Sequence, residues 1–250
     1  MASFVLVHGA WHGSWCWKRV RRALQEQGHD VFTPTLTGVG ERSHLLSRDV
    51  NLETHILDVV NLMRWEELSE VVLCGHSYGG CVISGVADWM PDRIHSLIYL
   101  DAFVLENGEN LAQHIPEIQN RQFVEGVEKV GEGWKVPPIP AEVFKVNTED
   151  LQWVNRQCTM HPMECFQQRI NLGGGIEKIK NVTFILATKF VDGSPFPPFY
   201  ERAKAKGWTT LTISCGHDVM LDRPAELTRV LLNSLESSRS AGKETSLWRE

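Results

Sequence analysis

The sequence has no excess of positive charge and no long hydrophobic run. Its 250 residues include 31 acidic and 25 basic side chains, which give a net charge of −6. Because no basic stripe interrupts this balance, a nucleic-acid partner is not expected. No apolar stretch approaches the roughly 20 residues that a membrane helix needs. The composition therefore argues against nucleic-acid-binding and membrane-spanning proteins.

The cysteines are few and scattered, and none of the six forms a C-x-x-C pair. A disulfide framework or a zinc site would need closer and more regular spacing. The chain also shows no basic leader before its first apolar run at residues 4–7. We therefore expect a cytoplasmic protein whose cysteines are small buried side chains.

Cofactor motifs are missing as well, since the sequence contains neither a P-loop nor a dinucleotide fingerprint. Gly38 and Gly40 have no third glycine at the required spacing and come too late for a Rossmann turn. His8 and His12 are four residues apart, but they lie in a glycine-rich stretch rather than on a helix, which makes a metal site a weak hypothesis. We expect no cofactor and no metal.

Strand-like and helix-like segments alternate along most of the chain. The apolar runs that predict strands are residues 3–7, 31–34, 71–74, 94–100, 182–187 and 209–213. The segments with helical spacing are residues 15–27, 52–65, 81–87 and 224–235. Alternation at this spacing predicts an α/β protein with a doubly wound, mostly parallel sheet.

The alternation is interrupted between the fourth and fifth strands. Polar helical pieces, a proline-rich stretch and three consecutive glycines occupy this part of the sequence. We expect a core formed by residues 1–103 and 181–236, a helical cap formed by residues 104–180, and a polar tail at residues 237–250.

The most informative stretch is GHSYGG at residues 75–80, which follows a strand and precedes a helical run. The order strand, G-x-S-x-G, helix is typical of a nucleophile elbow. A serine hydroxyl is a weak nucleophile and must stand exposed beside a base and N–H donors. A tight turn achieves this by holding Ser77 in a strained conformation. Larger side chains at Gly75 and Gly79 would clash, so Ser77 is the candidate nucleophile.

The partners of the serine should follow it in the order acid, then histidine. His217 lies directly after the last predicted strand and is the candidate base. Asp192 is the only acid on the loop after the preceding strand, and chain order favours it as the orienting acid. Asp101 ends the strand that follows the elbow strand, and it stays an open alternative. Asp218 adjoins His217 too closely to orient it, so we expect a supporting or surface group.

The oxyanion hole should use the N–H group after the nucleophile and one from the first long loop. These are the N–H groups of Tyr78 and Ala10, with Trp11 as an alternative to Ala10. His76 within the elbow is expected to be a packing residue.

These residues together resemble the α/β-hydrolase superfamily, and within it the branch of plant methylesterases, hydroxynitrile lyases and bacterial EstC-like carboxylesterases. The matching segments are VLVHGAWHG at residues 5–13, TLTGVGERSH at residues 35–44, GHSYGG at residues 75–80, YLDAF at residues 99–103, FPPF at residues 196–199 and GHD at residues 216–218. The FPPF segment resembles the one that follows the family's acid loop, which supports Asp192. That loop looks variable in the bacterial subgroup, which keeps Asp101 open.

Two positions depart from the lyases of this branch. Those enzymes have a threonine in the first loop and a lysine beside the catalytic histidine, where this chain has Gly9 and Asp218. Without the lysine's positive charge, a leaving cyanide ion has no stabiliser. The resemblance therefore implies hydrolysis rather than cyanohydrin cleavage.

The sequence predicts a serine hydrolase that cleaves a small or medium-sized apolar or aromatic carboxylic ester through an acyl-enzyme. A carbamate or amide hydrolase is the alternative, followed by a lyase or a non-catalytic binding protein. The substrate-binding candidates are Trp11, Phe103, Trp134 and Trp153, with Phe123, Phe144 and Phe166 as further aromatic residues of the cap. The cap aromatics could instead form a small core of their own. We expect a small-molecule partner and leave a homodimer open.

Overall fold

The computed structural model describes residues 1–190 and 193–235. Its strands are β1 (Ser3–Val7), β2 (Asp30–Phe32), β3 (Val71–His76), β4 (Ile94–Leu100), β5 (Lys135–Val136), β6 (His161–Pro162), β7 (Val182–Ala187) and β8 (Thr209–Ile213). Its α-helices are α1 (Lys18–Gln25), α2 (Leu52–Trp65), α3 (Gly79–Trp89), α4 (Glu117–Lys129), α5 (Leu151–Gln157), α6 (Glu164–Gln167), α7 (Pro197–Ala205), α8 (Val219–Asp222) and α9 (Pro224–Asn233).

Six of the strands form one sheet in the order β2-β1-β3-β4-β7-β8, and every neighbouring pair is parallel. The inner strands are apolar because both faces of the sheet are covered, and all six residues of β3 are buried. The predicted doubly wound parallel sheet is confirmed.

The predicted helices agree with the structure most closely where the sequence carries a start signal. The α2 helix begins after Asn51, whose side chain accepts a hydrogen bond from the Thr54 N–H at 3.0 Å and completes a capping box. The helix predicted over residues 15–27 is shorter than expected. It starts as a 3₁₀ turn at Ser14–Trp17 and ends before Gly28, which has a left-handed φ of 80°.

The order of the strands reverses between β1 and β3, because β2 lies on one side of β1 and all later strands lie on the other. Ligands of open α/β sheets bind in the crevice beyond the carboxyl ends of the strands at such a reversal. The loops that follow β1 and β3 both open into this crevice. The fold therefore brings the first loop of the chain next to the turn that carries Ser77.

The segment between β4 and β7 contains α4, α5 and α6 and a second, two-stranded sheet. In this sheet β5 and β6 run antiparallel, with Val136 opposite His161. Arg19 of α1 reaches this segment and binds the Asp150 carboxylate with two hydrogen bonds of 2.6 and 2.7 Å. The segment predicted to be a cap is thus tied to the core by a bidentate ion pair.

Within the described residues, no helix combines the length and the hydrophobicity that crossing a membrane requires. The predicted polar tail at residues 237–250 lies outside the described residues.

Candidate active site

Ser77 stands at the sharp turn between β3 and α3, with a φ of 55° that is rare for residues other than glycine. The flanking glycines allow this turn. A Cβ atom on Gly75 would lie 2.5 Å from the Gly79 carbonyl oxygen, and one on Gly79 would lie 2.8 Å from the Val7 carbonyl oxygen. The turn therefore has no room for side chains at these two positions, as the motif predicts.

His217 follows β8, and its buried ring faces the same crevice. The ring Nδ1–H donates to Asp101 Oδ2 at 2.6 Å. The backbone N–H of His217 donates to the Phe144 carbonyl at 2.9 Å, and its ring stacks on Phe196 with centroids 4.9 Å apart. These three contacts hold the imidazole in one orientation, and His217 and Ser77 line the same cavity.

Asp101 follows the last residue of β4, is fully buried and has a φ of 43°. Its Oδ1 accepts a hydrogen bond from the Ala187 N–H at 3.0 Å, while Oδ2 accepts from His217. One carboxylate oxygen is thus fixed by the sheet and the other by the histidine. Asp192, which chain order favours as the acid, lies outside the described residues.

Burial shifts the pKa values of both Asp101 and His217. It raises the pKa of the Asp101 carboxyl above its ordinary value, and the hydrogen bond from Ala187 N–H acts in the opposite direction. It also lowers the pKa of the His217 ring to about 4, against the attraction of the Asp218 carboxylate. At neutral pH the ring is therefore uncharged, which is the state that a general base requires.

Two backbone N–H groups beside Ser77 are available to a ligand. Among the described residues, neither the Ala10 N–H nor the Tyr78 N–H has an acceptor within the protein. The Trp11 N–H, the alternative to Ala10, donates to His161 Nδ1 at 3.3 Å. Ala10 and Tyr78 therefore offer the free donors at the mouth of the crevice.

Histidines hold the loop that carries Ala10. The ring of His8 donates from Nδ1 to the Gly9 carbonyl at 2.8 Å, and its Nε2 accepts from the Leu36 N–H at 3.1 Å. The ring of His12 donates from Nδ1 to the Ala10 carbonyl at 2.7 Å. We call residues 8–13 the oxyanion loop.

Asp218 is not at the surface but fully buried, and its Oδ2 lies 3.2 Å from His12 Nε2. Burial would lower the pKa of His12, but the Asp218 carboxylate raises it above its ordinary value. Burial would likewise raise the pKa of Asp218, but the His12 ring holds it well below the usual range. The two side chains form a buried ion pair directly behind His217.

His76 packs its ring against that of His217, with centroids 4.4 Å apart. Its Nε2–H donates to the His217 carbonyl oxygen at 3.0 Å. The predicted packing residue thus also fixes the backbone of the candidate base.

A narrow cavity of about 50 Å³ opens between Ser77 and the cap. The aromatic residues that line it are Trp11, Tyr78, Phe103, Phe123, Phe144, Phe166, Phe190 and Phe196. The remaining apolar lining comes from Ala10, Leu111, Ile115, Ile139, Val143 and Pro195. Sequence reasoning missed Phe190, Phe196 and the aliphatic residues, because no local motif marks a residue that reaches a pocket through packing.

Trp134 and Trp153, which we expected at the substrate site, lie outside this cavity. Trp134 stacks beneath the Arg48 guanidinium at 5.4 Å, and Trp153 packs edge-on against Trp15 at 5.0 Å. Both rings are only partly buried and pack against arginine side chains, Trp134 against Arg48 and Trp153 against Arg19, so a role for them in substrate binding stays a prediction.

Within the part of the chain that the structure describes, two groups of side chains have metal-ligand chemistry: His55, His161 and Cys165, and His76, His217 and Asp218. Hydrogen bonds engage at least one ring nitrogen of each histidine in these groups. His55 Nδ1 accepts from the Tyr78 hydroxyl at 2.8 Å, and His76 Nε2 carries the hydrogen that it donates to the His217 carbonyl. The geometry favours hydrogen-bonding roles for both groups.

The profile described as "Alpha/beta hydrolase family" matches residues 4–230. The carbendazim hydrolyzing esterase of Nocardioides sp. (strain SG-4G) is 45% identical over 239 residues, which cover 92% of this chain and 98% of that protein. Methylesterase 2 of Arabidopsis thaliana is 33% identical over 133 residues, which cover 52% of this chain and 48% of that protein.

Among solved structures, an extracellular alpha/beta-hydrolase from a Paenibacillus species superposes with a TM-score of 0.80. The two chains are 21% identical, and the match covers 94% of this chain and 99% of the other, which shows a shared fold.

The chain belongs to the α/β-hydrolase family. It is an enzyme of the carboxylesterase type, which cleaves small-molecule esters.

Proposed function

We propose that this enzyme hydrolyses a methyl carbamate or a carboxylic ester of a flat aromatic group, through an acyl-enzyme on Ser77. The observation that carries the proposal is the narrow aromatic cavity into which Ser77 and His217 both open. Its walls suit a planar apolar ring. The relative that is 45% identical is named for hydrolysing carbendazim, a methyl carbamate on a flat benzimidazole ring.

In the first step, His217 removes the proton from the Ser77 hydroxyl and the serine oxygen attacks the carbonyl carbon. Asp101 accepts the Nδ1–H bond and stabilises the positive charge that develops on the imidazole. The negative charge on the carbonyl oxygen is taken up by the N–H groups of Ala10 and Tyr78. The α3 helix starts directly after Tyr78, so its dipole adds to this stabilisation.

The tetrahedral intermediate then collapses. His217 gives its proton to the leaving alkoxide, which departs as an alcohol, and the acyl group stays on Ser77. Water attacks this acyl-enzyme with His217 again acting as base. An ester yields a carboxylic acid, and a carbamate yields a carbamic acid that decomposes to an amine and carbon dioxide.

The lyase alternative has poor support at the two positions that distinguish it. A Cβ atom on Gly9 would lie 2.9 Å from the Ser77 Cβ, so this loop leaves no space for a threonine there. Asp218 brings a buried negative charge next to His217 where a lyase needs a cation. Both features favour hydrolysis.

The test is hydrolysis of p-nitrophenyl esters from acetate to octanoate and of a methyl N-aryl carbamate, by the wild type and by Ser77→Ala. We expect the variant to lose activity by about 10³-fold or more while it stays folded. A fluorophosphonate probe should label the wild type and not the variant. A Ser77→Ala protein that keeps its activity would refute the acyl-enzyme mechanism, and a wild type that neither labels nor turns over would indicate a binding protein.

A further inference from the structure

The backbone of Trp11 is bound on both sides by the cap. Its N–H donates to His161 Nδ1 at 3.3 Å, and its carbonyl accepts from the Thr159 N–H at 3.0 Å. Its indole Nε1–H donates to the Val136 carbonyl at 3.1 Å. Val136 and His161 are opposite each other in the small antiparallel sheet. The cap therefore contacts the oxyanion loop through three hydrogen bonds to one residue.

The hydrogen bond from Trp11 defines the tautomer of His161. Because Nδ1 accepts, the ring hydrogen of the neutral imidazole must sit on Nε2. Nε2 is buried and finds no hydrogen-bond partner in residues 1–190 or 193–235. Burial also holds the pKa of His161 well below its ordinary value, so the ring stays neutral and keeps its acceptor. A buried donor without a partner is unfavourable, and an apolar side chain would avoid it.

The peptide group between Ala10 and Trp11 is thus fixed at both ends. His12 donates to its carbonyl oxygen at 2.7 Å, and His161 accepts from its N–H. Trp11 itself has a φ of 64°, a conformation that a bulky residue keeps only when its surroundings impose it. Since consecutive peptide groups share the Cα atom of Ala10, fixing this one restricts the direction of the Ala10 N–H.

We propose that His161 is a positioning residue: it holds the oxyanion loop in the conformation that presents the Ala10 N–H to the substrate, so that the cap and the oxyanion hole form together. The inference rests on the proposed function, in which Ala10 stabilises the oxyanion. His161 comes from the cap, 150 residues away from Trp11 along the chain. Its effect should be on the transition state, because the Ala10 N–H that it positions binds the negative charge that develops there.

Three substitutions separate this role from simple packing. In His161→Asn the amide oxygen lies near the position of Nδ1 and can still accept from Trp11. In His161→Gln the acceptor moves to the position of Nε2, and His161→Phe keeps a flat ring without any acceptor. The readouts are kcat and KM for p-nitrophenyl acetate, the melting temperature, and the ¹⁵N shifts of the imidazole in the wild type.

We expect His161→Gln and His161→Phe to lower kcat by about 10- to 100-fold, because a small displacement of an oxyanion donor has effects of this size. KM should change little. His161→Asn should recover most of the wild-type kcat. The ¹⁵N shifts should show Nδ1 unprotonated and Nε2 protonated at neutral pH.

Equal losses in Asn, Gln and Phe variants would overturn the proposal in favour of packing, and so would an unchanged kcat in all three. A higher KM with an unchanged kcat would also overturn the proposal, because it would assign His161 to substrate binding. If the variants fail to fold, an Nδ1-protonated tautomer in the wild type would still refute the hydrogen bond. Ser77→Ala, measured alongside, identifies the other failure: activity retained there refutes the acyl-enzyme and this role of Ala10 with it.

Discussion

The Asp101 carboxylate has one oxygen bound to the sheet, through Ala187, and the other bound to His217. Asparagine has the same shape but no charge, and its amide group favours the wrong imidazole tautomer. Asp101→Asn should therefore lower kcat by about 10⁴-fold, as in other serine triads. Steady-state hydrolysis of a p-nitrophenyl ester measures this loss.

Asp192→Asn is the matched control, because it makes the same chemical change on the loop that chain order favours. If Asp101 is the acid, Asp192→Asn should leave kcat close to that of the wild type. If Asp192→Asn causes the larger loss and both proteins fold, the acid is Asp192.

Ser77 and His217 could be proposed from the sequence because a local motif marks one and chain order marks the other, and in the structure both line the same cavity. The position of the acid depends on strand register. His76 pairs with Leu100 across β3 and β4, so the next residues, Ser77 and Asp101, emerge side by side. A sequence predicts the ends of strands only to within a few residues. The proximity of Ser77 and Asp101 depends on which residue of β3 pairs with which residue of β4, and the sequence does not give that register.

The aromatic residues of the cap show a similar limit. Phe123 and Trp134 are both large, apolar and only partly buried, yet one lines the cavity and the other lies under Arg48. The residue type could not predict which of the two lines the cavity, because this depends on where each side chain packs in the folded cap.

At the scale of elements, the elbow makes a sharp prediction about β3 and α3. Gly75→Ala places a Cβ atom 2.5 Å from the backbone oxygen of Gly79, and backbone cannot move aside as a flexible side chain can. The variant should lose about 3 kcal/mol or more of unfolding free energy, or fail to fold. Urea denaturation followed by tryptophan fluorescence measures the loss.

Gly207→Ala provides the comparison, since Gly207 has a φ of 73° but open space around it. It should show only the strain of the left-handed conformation, about 1–2 kcal/mol. Similar losses of unfolding free energy in the two variants would mean that the elbow does not depend on the close approach of residue 75 to the Gly79 backbone.

The cap makes a prediction about specificity. Phe123 of α4 packs against Trp11 with ring centroids 5.9 Å apart and lines the cavity. Phe123→Ala should enlarge the cavity and shift the preference towards longer p-nitrophenyl esters, measured as kcat/KM along the series. Each extra methylene that is buried is worth about 0.8 kcal/mol, or roughly fourfold in kcat/KM.

Trp134→Ala is the control for this experiment, because it removes a cap aromatic that lies outside the cavity. It should leave the chain-length preference unchanged. A shift in Trp134→Ala as large as that in Phe123→Ala would mean that the cavity is wider in solution than in the structure.

At the scale of the whole molecule, the interior contains an unusual number of uncharged histidines. Burial lowers the pKa of His8 to about 3, that of His55 and His217 to about 4, and that of His76 and His161 well below the ordinary value. The unfolded chain binds protons at these positions below about pH 6.5, whereas the folded chain does not. Stability should therefore be greatest above pH 6.5 and fall steadily as the pH drops towards 4.

Each of these histidines adds to the loss as the pH falls, because the unfolded chain takes up a proton that the folded chain excludes. Urea unfolding at pH 7.5 and pH 5.0 should show a large loss of unfolding free energy at the lower pH. His12 and Asp101 act in the opposite direction, because the fold raises the pKa of both, and they remove part of the effect. Equal stability at the two pH values would contradict the neutral, buried state of these rings.

The fold as a whole could be predicted from the sequence, since alternating strands and helices leave few topologies for a chain of this length. The cap could be recognised only as an interruption, because its short helices and two-residue strands carry weak periodic signals. The cytoplasmic location and a homodimer stay predictions. Fractionation of the native cells and light scattering of the purified protein address them.

If Asp101, directly after β4, is the acid, the loop after β7 supplies no catalytic residue, although part of it lines the cavity. Pro195 and Phe196 of this loop line the cavity, and Phe196 also supports the ring of His217. The sequence of this loop could then vary without loss of the reaction. A library randomised at residues 193–195 should therefore yield many active clones with different substrate ranges, and the loop is the natural starting point for changing the specificity of the enzyme.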